Sequence, residues 1–393
     1  MATLLDAPTT PTPPTLPLVP VDGNGAVSVR PARGVPRRGE RPVGLYDLAL
    51  PELTDRLVAL GAPGYRARQL YAGVYGRLTA DYAELTDLPA ALRAELAATL
   101  PLTTLAPVRE QEADGGETVK TLYRTFDGQF VETVTMFYPD RVTVCVSCQV
   151  GCAVGCAFCA TGLGGLTRNL TTGEMVAQVV GAARLARGRD RALTNLVMMG
   201  MGEPLQNYAA TMKLVAILHD PAGLNFGARR ITISTSGVVP KIGALAAEPY
   251  QVNLAVSLHA PDDALRDTLV PLNRRYPIAE LMAACRRYGE ATGRRVSFEY
   301  ALMSGINDGE ATARALGTLL RESGVLCHVN VIPLNPVDVL PYARPTRVGI
   351  ERFAETVRAA GIPTTVRYSR GVEIAAACGQ LRAEHMAAPQ PAP

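Results

Sequence analysis

The chain has 393 residues, 48% of them hydrophobic, and a formal net charge of +3, which suits one large domain with extensions. No apolar run approaches the ~20 residues needed to cross a bilayer, and the proline-rich start lacks the basic cluster and apolar stretch of a secretory signal, so no membrane role is expected. Eight cysteines, three of them within eight residues, read as metal ligands and reactive thiols of the cytosol rather than as a disulfide framework.

So small a net charge says little about a polyanionic partner. Of the 39 basic residues only Lys120, Lys213 and Lys241 are lysine, and arginines pair at Arg37/Arg38, Arg229/Arg230, Arg274/Arg275, Arg286/Arg287 and Arg294/Arg295. Arginine forks suit phosphate and stacked bases, but a genome rich in G and C produces the same bias. The absence of Trp and the 5% aromatic content argue against a large base-stacking platform.

Residues 1–43, rich in Pro, Thr, Gly and Arg without apolar periodicity, are expected to form a disordered tail. Residues 44–105 read as a small helical accessory domain: Leu50 leads into Leu57 and Leu60, Tyr65 to Tyr75 repeats apolar residues at helical spacing, and Asp87-Leu88-Pro89 starts a helix through Leu100. That module faces RNA or serves as a packing cap. Residues 106–140 read as a linker and a hairpin, Thr118 to Tyr138, turning at Asp127-Gly128. The core follows over 141–381, and 382–393 read as a flexible tail.

In the core, strands are expected at Arg141 to Val146, Leu193 to Met199, Arg230 to Thr235, Gln251 to Leu258, Arg295 to Leu302, His328 to Pro333 and Thr364 to Tyr368. Helices are expected between them, at Gly173 to Ala186, Tyr208 to Leu218, Ile278 to Ala291, Asp308 to Glu322 and Ile350 to Ala359. This alternation predicts an α/β fold with a parallel sheet closed into a full or partial barrel. Chemistry in such barrels gathers at the carboxyl ends of the strands, where Gly200 to Pro204, Ser234 to Gly237, Ser257-Leu258-His259 and Leu334-Asn335-Pro336 fall.

After the first strand stands Cys152-Ala-Val-Gly-Cys156-Ala-Phe-Cys159. Three thiolates on a four-iron cube leave one iron open to chelate a small molecule, whereas a structural zinc site closes with a fourth ligand, for which Cys148 is the candidate.

These motifs, with Cys145 to Cys152, Met199 to Leu205, Ser234 to Pro240 and Ala376 to Leu381, resemble the radical S-adenosylmethionine (SAM) adenine methyltransferases of ribosomal RNA, the RlmN/Cfr family, from about Leu45 to Leu381. The resemblance implies a radical SAM partial (β/α)6 TIM-like barrel with a small N-terminal helical accessory domain. It implies that Cys152, Cys156 and Cys159 bind a 4Fe-4S cluster and that Gly202 and Glu203 hold the amino end of SAM. Ser234, the Ser257-Leu258-His259 turn and Asn335 complete that pocket. By the same resemblance Cys378 takes a methyl from a first SAM, and a second SAM is cleaved to a 5′-deoxyadenosyl radical that abstracts hydrogen from the methylated cysteine. The carbon radical joins the base, Glu132 takes the proton of the base, and Cys145 resolves the adduct as a disulfide.

The implied reaction is methylation of carbon 2 of an adenosine in 23S rRNA and of the adenosine beside the anticodon of tRNA, with a flavodoxin or ferredoxin-type electron donor. A Cfr-like enzyme acting on carbon 8 uses the same cysteines, and a non-catalytic zinc-containing RNA-binding protein is the reading from another class. Taken without the resemblance, Glu132 reads as a solvated carboxylate on a strand, His259 as a residue holding a strand end, and Cys378 as a buried helical cysteine. Cys148, Cys285 and Cys327 read as apolar bystanders.

Overall fold

A computed structural model describes residues 43–381, so nearly all of the expected N-terminal tail and the whole of the C-terminal tail lie outside the described residues. The first α-helices of the described residues are short: α1 (Leu50–Ala59), α2 (Arg66–Tyr71) and α3 (Ala90–Thr99). The helical pattern expected from Tyr65 to Tyr75 is split: α2 widens into a π-helical turn over Ala72–Gly76. At Gly73 a Cβ would stand 2.2 Å from Leu85 Cδ2, so the backbone approaches that leucine more closely than any side chain allows.

Strands β1 (Ala106–Ala113), β2 (Thr118–Arg124) and β3 (Phe130–Phe137) form an antiparallel meander. The hairpin was expected; β1 was read as linker. Its residues are nearly all exposed on both faces, so no alternation marked it as a strand.

Next come β4 (Val142–Cys145), the pair β5 (Gln149–Gly151) and β6 (Leu166–Asn169), α4 (Thr172–Arg187), β7 (Asn195–Met198), α5 (Tyr208–His219), β8 (Ile231–Thr235), α6 (Val239–Ala246) and β9 (Asn253–Ser257). The chain continues through α7 (Asp263–Leu269), α8 (Ile278–Thr292), β10 (Val296–Leu302), α9 (Glu310–Ser323), β11 (Cys327–Pro333), α10 (Arg347–Ala359) and β12 (Thr364–Val366). The ten-stranded sheet runs β1-β2-β3-β4-β7-β8-β9-β10-β11-β12, with every neighbouring pair from β4 onward parallel. This is the expected partial TIM-like barrel, ending in a short seventh parallel strand and extended at its other edge by the meander.

Along each parallel strand one set of side chains joins the main core under the helices, such as Leu196 and Met198, Ile231 and Ile233, and Phe298 and Tyr300. The alternate set, including Ser234, Ser257, Glu299 and Asn330, therefore faces the barrel interior. The helical module shares the main core rather than owning one: Tyr46, Tyr71 and Tyr75 belong to the same buried cluster as the barrel. Arg184 on α4 donates to Leu78 O at 2.9 Å and to Tyr46 Oη at 3.1 Å, and Lys213 on α5 pairs with Glu52 at 2.7 Å. Packing onto the main domain is thus realised. Among the described residues no helix is long and apolar enough to cross a membrane.

Candidate active site

The β5–β6 pair pinches off the loop that carries the three cysteines. Cys152 N–H donates to Gly165 O at 2.9 Å, closing its base. Gly151 lies at φ +77° with a would-be Cβ 2.0 Å from Gly165 O, so only glycine fits at this neck. Arg168 on β6 anchors the pair, donating to Asp127 in the β2–β3 turn and to Glu174 at the start of α4.

Within the loop, Cys159 N–H donates to Cys156 O at 3.1 Å and Ala157 N–H to Leu269 O at 3.0 Å. Cys152, Cys156 and Cys159 are half-buried and pack on one small apolar pool with Val154, Phe158, Leu269, Val270, Ala301, Met303 and Leu334. Cys148 belongs elsewhere, in the main core, with its backbone N–H on Met201 O and its carbonyl accepting from Leu170 N and Asn207 Nδ2. Three soft donors gathered on an accessible loop beside an apolar wall suit a cluster of iron and sulfide, and they leave Cys148 out.

The strand ends expected to hold SAM converge beside this loop. Gly202 adopts φ +108°, and a Cβ there would lie 2.6 Å from Gln149 Cβ and 2.9 Å from Cys148 Sγ. Glu203 is buried: its Oε1 accepts from Leu205 N–H at 3.0 Å and its Oε2 from Ser236 N–H at 2.7 Å. Burial pushes its carboxyl up, and those N–H donors pull it back. Glu203 therefore ties the β7 end to the β8 end, and a cofactor amine can reach only the remaining lone pairs.

Ser234 and Ser257 are half-buried on the inner face. Leu258 turns its side chain into the main core, leaving its backbone for any ligand, although Leu258 N–H already donates to Glu299 O. His259 sits at φ +61°, with Nδ1 accepting from Ala301 N–H at 2.9 Å and its carbonyl from Asn307 Nδ2 at 2.9 Å. Burial, then the charge of Arg266, lowers its imidazole to about 3. The ring is thus a neutral clamp at the strand end. Asn335 Nδ2 donates to Ser369 Oγ at 2.9 Å and to Cys378 O at 3.2 Å, while its Oδ1 is buried without a partner.

After β12 the chain runs as a strap from the β1–β2 turn to the cluster loop. Arg370 pairs with Glu117, Gly371 N–H donates to Asp114 Oδ2 at 2.9 Å, Gly379 O accepts from Ala160 N–H at 2.8 Å, and Leu381 O accepts from Thr161 Oγ at 2.7 Å. Cys378 rides on it, exposed, and not on a helix, which overturns the buried-helical-cysteine reading. Cys145, buried at the end of β4, is lifted by burial and next by the charge of Cys378, so the strap brings Cys378 within electrostatic reach of Cys145.

Glu132 on β3 is 3% exposed, which corrects its reading as a solvated carboxylate. Its Oε1 lies 3.0 Å from Lys120 Nζ, and it shares a face with Val134, the residue paired with Cys145.

Two residues of the site carried no signal in the sequence. Lys120 is one of only three lysines, but nothing around it announced a buried pair. Arg266 is fully buried and donates to the carbonyls of Ser236 (2.7 Å), Ser257 (3.0 Å) and Leu258 (3.0 Å) and to Asn273 Oδ1 (2.9 Å), drawing the ends of β8 and β9 together. The only hint was an arginine among Asp262, Asp263 and Asp267. The arginine pair Arg37/Arg38 lies outside the described residues.

Residues 146–316 match the Radical SAM superfamily, and residues 43–101 match the Ribosomal RNA large subunit methyltransferase N-terminal domain. A protein of Chloroflexus aurantiacus named "Probable dual-specificity RNA methyltransferase RlmN" is 53% identical over 350 residues, covering 87% of this chain and 93% of that protein. One of the same name from Saccharopolyspora erythraea is 50% identical over 357 residues, covering 89% and 97%. The crystal structure of a radical SAM methyltransferase from Sphaerobacter thermophilus is 67% identical with a TM-score of 0.86, covering 87% of this chain and all of that one.

Proposed function

Because this chain belongs to the RlmN family of radical SAM methyltransferases, we propose that it methylates carbon 2 of an adenosine in 23S rRNA and of the adenosine beside the anticodon of tRNAs, in the cytosol. The observation that carries this reading is the strap, which holds Cys378 between the cluster loop and Cys145.

Cys152, Cys156 and Cys159 would hold a 4Fe-4S cluster, and Gly202, Glu203, Ser234, Ser257, the backbone of Leu258 and His259, and Asn335 would line SAM beside it. Bound together these groups supply one electron, delivered by a flavodoxin or ferredoxin-type donor, and a nucleoside radical able to abstract hydrogen. The chain's own residues do the rest. Cys378 accepts a methyl from one SAM as a nucleophile, and a second SAM is used to activate that methyl. With the methylene carbon of Cys378 joined to carbon 2, Glu132, released from Lys120, takes the carbon-2 proton while one electron would return to the cluster. Cys145 as thiolate then attacks the sulfur of Cys378, the disulfide forms as the carbon–sulfur bond breaks, and the electron pair left on that carbon takes a proton to complete the methyl group. The helical module and the exposed arginines would bind RNA phosphates, and the target adenosine must leave its stack to reach the barrel mouth.

The test is mass spectrometry of digested rRNA and tRNA from a deletion strain carrying this gene. 2-Methyladenosine in both is expected; 8-methyladenosine instead would assign the Cfr-like reaction. Zinc without iron in anaerobically prepared protein would assign the non-catalytic reading.

A further inference from the structure

A second buried carboxylate lies in the barrel interior. Glu299 is an inward-facing residue of β10, between Ser257 on β9 and Asn330 on β11, and is 5% exposed. Asn330 Nδ2 holds its Oε1 at 2.8 Å, while its Oε2 is buried and has no hydrogen-bond partner. Among the described residues it is in no salt bridge, whereas Glu132 is locked to Lys120. The strap reaches the end of the neighbouring strand β11: Asn335, just beyond it, hydrogen-bonds the carbonyl of Cys378.

We propose that Glu299 is the base that takes the thiol proton of Cys378 when that residue is methylated. The assignment rests on the methyl-carrying role of Cys378 given above. In the step, the S–H proton passes to Glu299 Oε2 and the freed sulfur pair forms a bond to the methyl carbon. The bond from that carbon to the sulfonium breaks, and its electron pair leaves with S-adenosylhomocysteine. Nothing is oxidised or reduced, and the proton returns to solvent from Glu299.

The electrostatics agree with the geometry. Although Cys378 is exposed as a residue, crowding around its sulfur and then the charge of Glu299 lift the thiol, and Arg367 pulls it back. Burial also lifts Glu299, against Asn330 and Arg367. A carboxylate raised in this way is a stronger base than an ion-paired one. The charged and titratable groups around Glu299 are thus Cys378 on the strap and Arg367 just after β12; next to Asn330, His328 on β11 is held low by burial and by Arg295 and Arg367. On the β9 side its neighbour Ser257 is neutral.

The experiment uses reconstituted holoenzyme whose Cys378 is checked by mass to be unmethylated, given SAM with a deuterated methyl and no reductant. Transfer of label to Cys378 is followed between pH 6 and 9 for the wild type, Glu299→Gln and Glu299→Asp. Loss of a general base slows such a step by roughly 10²–10⁴-fold. Glu299→Gln should show that loss at neutral pH and climb toward the wild type as pH rises, and Glu299→Asp should recover part of the rate. With reductant, Glu299→Gln should still yield deoxyadenosine, which separates a lost base from a lost fold. Labelling of both variants at the wild-type rate and pH profile would overturn the assignment of Glu299. A wild type that never labels Cys378 would overturn the reading beneath it.

Discussion

Asp47 Oδ1 accepts a 2.7 Å hydrogen bond from the backbone N–H of Gly173, so a side chain of the helical module caps the first turn of the core helix α4. Its other oxygen accepts from Gly44 N–H at 3.1 Å. Asp47→Ala should lower stability by about 1 kcal/mol, the usual cost of a lost cap. Gly173→Ala should cost more, about 1–3 kcal/mol, because its Cβ would stand 2.6 Å from the Asp47 carboxyl carbon. Denaturant unfolding of both variants checks this order; equal losses would mean that the module shifts without strain.

Acid should loosen the neck of the cluster loop. Burial opposes ionisation of Asp127, but hydrogen bonds from Arg168 and Thr125 and the charge of Arg168 outweigh it and hold the carboxyl at about 2, against an ordinary 3.8. A depressed carboxyl contributes stability that is complete above its unfolded value and disappears as pH falls through its folded one. The contribution should therefore fade between about pH 4 and pH 2, and it amounts to about 2 kcal/mol. The stability gap between wild type and Asp127→Asn, measured by unfolding at a series of pH values, should be widest above pH 5 and close in acid. A gap that stays constant to pH 2 would show that Asp127 is not held by Arg168.

The parts of this molecule legible in its sequence were those with a period or a fixed spacing. Strands such as Val296–Leu302 and helices such as Ile278–Thr292 announced themselves by alternation and helical repeat, and the cysteine spacing announced the loop. What stayed hidden depended on partners distant along the chain. Strand β1 has no apolar face because it lies at the sheet edge, and α7 is only seven residues of mixed polarity. Arg266, Lys120 and the orphaned Oε2 of Glu299 acquire meaning only when separate strands close around them. The strap was readable as a motif around Cys378, but its path from the β1–β2 turn to the cluster loop follows from hydrogen bonds to Asp114, Ala160 and Thr161 that no local pattern encodes.

Gly202 is the tightest point of the strand-end cradle. Alanine there must adopt φ +108° and meet Gln149 Cβ at 2.6 Å, a conformational cost of order 1–3 kcal/mol in addition to the clash. The clash pushes on Gln149, whose Oε1 accepts from Glu203 N–H at 2.8 Å. Gly202→Ala should therefore weaken SAM binding at least tenfold while iron content is kept, as read by equilibrium binding and metal analysis. Unchanged SAM affinity would remove Gly202 from the pocket.

Lys120 couples a buried charge to the strap. Its Nζ lies 3.0 Å from Glu132 Oε1 and donates to Ala375 O at 3.4 Å, with both side chains at most 5% exposed. Breaking a buried ion pair from one side is strongly destabilising, so Lys120→Met should cost about 3–5 kcal/mol. The double variant Lys120→Met/Glu132→Gln removes both charges and should recover much of that loss, which makes the two sites strongly non-additive. The lost tie to Ala375 is not recovered in the double variant, because Ala375 precedes Cys378 on the same strap. Methyl transfer to Cys378 should consequently be slower in the double variant than in Glu132→Gln alone. Equal transfer rates would mean that Lys120 acts only through Glu132, and additive stabilities would mean that the two charges are not a pair.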